Sequence, residues 1–181
     1  MDNKMRPHDL VVESLTEALL QLMETKPFID IKVTELCKRA GVSRISFYRN
    51  FNSFQEILTK HLNRCTDEWW AVYSQKPADE LYKRFWPELL DQYRRNRKLI
   101  TLIYNSNLQY VLKDHIFSCC GPKPEHDELT AYTCAVLAGA IYGFVDEWIK
   151  TGMTDAPVEL NLREMVQIIK RSQQKSEPIT R

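Results

Sequence analysis

Glycine is scarce, five in 181 residues, and none of the five sits in a loop that could cradle a phosphate on backbone amides. Paired catalytic carboxylates, a nucleophile motif and metal-ligand spacing are also missing, so the residues give no ground for an enzyme. The five cysteines, Cys37, Cys65, Cys119, Cys120 and Cys134, form neither an even framework nor a C-x-x-C pair, and are read as reduced, mostly buried thiols. His115 precedes Cys119 and Cys120 by one helical turn. Adjacent cysteines on a helix point to different faces and no second ligand pair is evident, so neither metal nor cofactor is expected. No basic segment precedes an apolar run in the polar start MDNKMRPHDL, so no signal peptide is read. The longest uncharged run, 129 to 145, is broken by Thr130, Tyr132, Thr133 and two glycines. It falls short of the roughly 20 residues a spanning helix needs, and a cytoplasmic protein without a membrane partner is expected. Charge of one sign is not in excess either: 25 Lys and Arg face 24 Asp and Glu. That balance excludes neither DNA nor a small ligand, because a nucleic-acid footprint depends on local clustering.

What is present is helical pattern. With 44% hydrophobic residues and few glycines and prolines, the chain suits one or two small, compact, mostly helical domains. The stretch from Val33 to Phe51 reads as two short helices about a tight turn. Val33, Leu36, Cys37 and Ala40 recur at helical spacing, Gly41 supplies the backbone freedom that ends a helix, and Ser43 is a favoured N-cap for the next. In that second helix Ile45 or Phe47, with Phe51, can turn inward. Arg44, Ser46, Tyr48, Arg49 and Asn50 then offer outward the groups that grip phosphates and read base edges. Lys32, Lys38, Arg39, Arg44 and Arg49 are opposed in this stretch only by Glu35, a local positive patch on a balanced protein. On pattern alone, an αα-hairpin with solvated charges remains equally open.

Around this stretch the chain reads as follows. Lys4 and Arg6 form a short arm, and Pro7 opens a first helix with Val12, Leu15, Leu19 and Leu22 on one face to about Thr25. Lys26-Pro27-Phe28 breaks it. Ser53 and Glu56 form a capping box that starts a long helix to about Gln75, with Phe54, Leu58, Leu62, Cys65, Trp69 and Tyr73 inward. Its length is on the order of 30 to 35 Å, enough to link two domains. Leu81, Phe85, Leu89 and Tyr93 mark the next helix, in which Pro87 implies a kink or a restart. The basic run Arg94, Arg95, Arg97 and Lys98 suits a solvated helix end. Two short helices follow, from Leu99 to Tyr104 and from Leu108 to Phe117. The helix from Asp127 to Thr151 carries the small residues Ala135, Gly139 and Gly143 four apart. A last helix after Pro157 has Val158 or Leu162, Met165, Ile168 and Ile169 on one side. Such a terminal pair either packs within the chain or forms half of a four-helix dimer interface.

The string LCKRAGVSRISFYRNFNSFQEIL, from Leu36 to Leu58, resembles the DNA-binding signature of the tetracycline-repressor (TetR) family of bacterial transcription regulators. The resemblance implies an all-α chain: a three-helix helix-turn-helix domain over residues 1–52, then a helical ligand-binding and dimerisation domain over 53–181, linked by the long helix from about Ser53. Carried over by position, family DNA contacts fall on Thr34, Arg44, Ile45, Ser46, Tyr48, Arg49 and Asn50, with Thr34 and Tyr48 toward phosphates and Arg44, Ser46 and Arg49 toward bases. Three residues depart from the pattern. Lys32 stands where a capping Thr is common, Ile45 where a small residue or Pro is usual, and Phe54 where a Lys often meets the DNA backbone. Lys32 can restore a nearby cation. The family's inducer pocket would draw on aromatic and polar residues among Trp69, Tyr73, Trp86, Tyr104, Tyr110, His115 and Tyr142, although aromatics at helical spacing are usually ordinary core. Its dimer contacts would fall on Ala135, Gly139, Gly143, Met165, Ile168 and Ile169. The segment GFVDEWIKTGM, 143 to 153, is also similar to members related to dihydroxyacetone-kinase activators.

The function expected is therefore a ligand-responsive DNA-binding regulator, a repressor by family habit. Its partners are a palindromic double-stranded operator, a second copy of itself and a small-molecule effector. The rival is a module of the same fold that activates through protein contacts, or binds a ligand without operator DNA.

Overall fold

The computed structural model describes residues 7–154, which hold eight α-helices, one 3-10 turn and no strand. Helix α1, Pro7–Met23, turns Leu15, Leu19 and Leu22 fully inward, the stripe its sequence spacing predicts. The chain then breaks at Pro27 into the 3-10 turn Phe28–Asp30. Seven more helices follow: α2 Val33–Ala40, α3 Arg44–Asn50, α4 Phe54–Tyr73, α5 Ala78–Arg95, α6 Arg97–Asn105, α7 Gln109–Cys120 and α8 Glu128–Lys150.

Local chemistry sets the boundaries. Gly41 ends α2 in the left-handed region at φ +68°, its amide donating to the carbonyls of Cys37 and Lys38. Ser43 caps α3 by accepting the Ser46 amide at 3.0 Å. Ser53 caps α4 in the same way from Glu56, 3.1 Å, while the Glu56 carboxylate takes the Asn52 amide at 2.7 Å. The expected capping box thus closes one residue further out. Asp127 caps α8 by accepting the Thr130 amide at 2.7 Å. Helix α5 continues through Pro87 without a restart. Only one amide is lost from its ladder, and the buried Leu89, Leu90 and Tyr93 just beyond keep the helix seated on the core.

Helix α1 packs on α2, α3, α4 and α6, while α4 also meets α5 and α7, and α7 packs on α8. A continuous set of buried apolar side chains runs from Leu15 to Met153. The pairing of Lys98 with Glu24 adds a polar tie between α6 and the chain just after α1. Helix α8 buries Ala138, Ile141, Val145, Trp148 and Ile149 on one side. On the other it leaves Leu129, Tyr132 and Val136 at 78%, 67% and 73% exposure. By length and composition α8 is apolar enough to cross a bilayer, more so than its longest uncharged run suggests. The arm residues Lys4 and Arg6, and Met165, Ile168 and Ile169 of the expected last helix, lie outside the described residues.

Candidate functional site

The sequence left Ile45 and Phe47 as alternatives for the inward position of α3. Phe47 takes it, 1% exposed, whereas Ile45 stands 65% exposed. Phe47 and Phe51 bury against α1 and α4, and Phe54 completes the cluster, its ring 5.9 Å from Phe47 and 6.0 Å from Phe28 in edge-to-face arrangements. The position where a cation was expected from the resemblance is therefore occupied by a packing residue. With Phe47 inward, Arg44, Ile45, Tyr48 and Arg49 share the exposed face of α3.

Ser46 and Asn50 sit differently. Both are half-buried, the Ser46 hydroxyl lies 2.9 Å from that of Ser43, and the Asn50 amide donates to the Ser46 carbonyl at 2.7 Å. Asn50 Oδ1 is buried without a hydrogen-bond partner. Thr34 and Lys32 are exposed at the start of α2, where Lys32 occupies the N-cap position without capping through its side chain. Glu35, the lone acid of the stretch, is bound by Lys26 at 2.7 Å, and that ammonium holds its carboxyl below the ordinary range. Among the described residues Lys32, Arg44 and Arg49 have no ion-pair partner, so the patch keeps its positive charge.

One contributor is not legible in the sequence. Lys60, two turns into α4, donates to the Asn50 carbonyl at 2.8 Å, lies 4.6 Å over the Phe51 ring and pairs with Glu56 at 3.2 Å. It thereby satisfies a carbonyl at the C-terminal end of α3 and adds a cation where the helix dipole is negative.

A cavity of about 400 Å³ opens between α4, α5, α7 and α8. Trp69, Trp70, Phe85 and Tyr93 supply its aromatic wall, and Thr66, Asp67, His115 and Cys119 its polar side. Of the seven residues expected at an inducer site, Trp69 and His115 line this cavity. Tyr73 lies in the neighbouring cleft between α4 and α5, stacked on Trp69 at 4.9 Å. Trp86 packs on Phe144, Tyr104 donates to Asp146 at 2.6 Å, Tyr110 is 48% exposed and Tyr142 is half-buried on α8. Trp69 keeps a buried indole N–H without a partner.

His115 is 2% exposed. Its Nδ1 donates to Asn63 Oδ1 at 2.7 Å, which leaves Nε2 to accept from the Thr66 hydroxyl at 2.9 Å in the neutral ring. Burial pushes its pKa down to about 4, with Asp67 opposing, so the imidazole is neutral near pH 7. Burial also raises the thiol of Cys119, 3.8 Å from the ring, and keeps it protonated. The described residues contain no cluster of three or more metal-binding side chains.

No family model and no curated protein matches the chain. Solved structures do. Lin0861 from Listeria innocua superposes with a TM-score of 0.61 at 16% identity, covering 93% of this chain and 91% of its own. The dihydroxyacetone kinase operon activator DhaS gives a TM-score of 0.47 at 16% identity, over 91% and 95% of the two chains. A transcriptional regulator of the TetR/AcrR type from Aquifex aeolicus gives 0.43 at 17%, over 91% and 98%. The last two scores are too low to carry weight. The chain has the all-α fold of Lin0861, along nearly the full length of both.

Proposed function

We propose that the chain is a sequence-specific DNA-binding transcription regulator of the TetR type, a cytoplasmic homodimer that represses from a palindromic operator and responds to a small effector. The observation that carries this reading is the exposed face of α3, with Arg44, Ile45, Tyr48 and Arg49 turned out by the burial of Phe47 and Phe51. On this reading residues 1–52 form the DNA-binding part and 53–181 the effector and dimer part. Arg44 and Arg49 reach base edges and phosphates, Tyr48, Thr34 and Lys32 hold the backbone, and Ile45 meets a thymine methyl. Ser46 and Asn50 serve chiefly to shape α3, since the Ser46 hydroxyl is held by the N-cap Ser43 and the Asn50 amide nitrogen by the Ser46 carbonyl.

The open face of α8, with Leu129, Tyr132, Val136, Gly139 and Gly143, supports the dimer. Nothing in the structure lies within 4 Å of where a Cβ at either glycine would stand, so a partner helix has close access. The cavity is of ligand size, with a largely aromatic wall and a few polar groups, which suits a small effector. Genomic DNA captured by the purified protein and read for a palindrome provides the operator. Arg44→Ala then lowers operator affinity by roughly 1 to 3 kcal/mol and relaxes base preference, with a shallower salt dependence. Unchanged binding by the variant removes Arg44 from the interface.

A further inference from the structure

The cavity wall is unusual in its charge. Among its lining residues Asp67 is the only carboxylate, His115 is neutral, and no Lys or Arg contributes to it. Lys123 acts on Cys119 and Cys120 from outside, with its ammonium bound to the Ser118 carbonyl. The negative field of Asp67 reaches both His115 and Cys119 across the wall. The remaining surface is dominated by the aromatic rings of α4 and α5, Trp69, Trp70, Phe85 and Tyr93.

An anionic ligand entering here would lose water, gain no cation and meet a carboxylate. A small hydrophilic cation would find Asp67 but leave the apolar wall unfilled. From this charge complementarity we infer that the cavity selects hydrophobic aromatic monocations, holding the charge by Asp67 at the mouth and the aromatic body against Trp69, Trp70 and Phe85. The inference deepens the effector reading above and rests on it only for the consequence of binding.

The test uses a pair of probes of nearly the same shape and opposite charge, tetraphenylphosphonium and tetraphenylborate, added to the full chain without DNA. Binding is followed by calorimetry and by quenching of tryptophan fluorescence. The phosphonium binds at least tenfold more tightly than the borate. Asp67→Asn removes most of that preference, and Asp67→Lys reverses it. Asp67 is exposed, so both variants retain the fold, which unchanged thermal unfolding verifies. Equal affinities, a preference for the borate, no binding of either probe, or a preference untouched by Asp67→Asn each overturn the inference. Operator binding is measured separately. A chain that binds DNA but shows no charge preference loses only the ligand class, while one that takes the phosphonium but binds no operator loses the regulator reading.

Discussion

Acid destabilises this protein through His115, the one buried histidine among the described residues. The neutral ring is satisfied at both nitrogens by Asn63 and Thr66, and burial holds its pKa at about 4, against 6.5 for the free side chain. That gap is worth about 3 kcal/mol of stability. Because the folded pKa lies below the unfolded one, the contribution is complete above about pH 6.5. It falls as the pH drops toward 4, where the unfolded chain binds a proton that the folded chain refuses. At pH 5 the loss from this residue is about 2 kcal/mol, which for a chain of this size lowers the melting temperature by roughly 4 to 8 °C. His61, also depressed by burial, adds a slope of its own, so the comparison must be with His115→Gln. Urea unfolding at fixed protein concentration between pH 8 and 4.5 gives a shallower pH dependence for the variant, by about 2 kcal/mol at pH 5. An identical slope in the two proteins, or a His115 proton resonance titrating near 6.5, refutes the argument.

Other perturbations bear on the interface and the dimer. Replacing Phe54 by Lys, the cation expected from the resemblance, costs about 2 to 4 kcal/mol of stability by emptying the cluster with Phe28 and Phe47; a denaturation midpoint at or above wild type contradicts this. Lys60→Met weakens operator binding while leaving the slope of affinity against salt unchanged, because Lys60 acts on α3; a slope smaller by about one makes it a phosphate contact instead. Val136→Arg on the open face of α8 shifts sedimentation from dimer to monomer, and a persistent dimer places the interface elsewhere.

Much of this molecule follows from local rules. The turn at Gly41, the caps at Ser43 and Ser53, and the buried stripe of α1 need only neighbours in sequence, and all stand where spacing and residue type put them. The α3 face was ambiguous because seven residues make two turns, and either Ile45 or Phe47 satisfies that periodicity. Only the rings of Phe51 and Phe54, presented from beyond the helix, select Phe47. His115 was visible as a residue with neighbouring cysteines. Its partners Asn63 and Thr66 come from α4, about fifty residues earlier, and no pattern within one helix reveals such a pairing. Lys60 was hidden for the same reason, since its acceptor is a backbone carbonyl, which has no signature in the sequence. The cavity could not be read because the aromatics that line it and those that fill the core share one spacing.

Lys60 also bears on how a signal can travel. Its ammonium grips the last carbonyl of α3 while Ser53, Glu56 and Asn52 fasten the link between the two helices, and Phe47, Phe51 and Phe54 fill the angle between them. Helix α3 and the opening turns of α4 are thus welded into one bracket. A displacement delivered along α4 would carry the bracket whole, changing where Arg44 and Arg49 arrive while leaving unaltered how they are held.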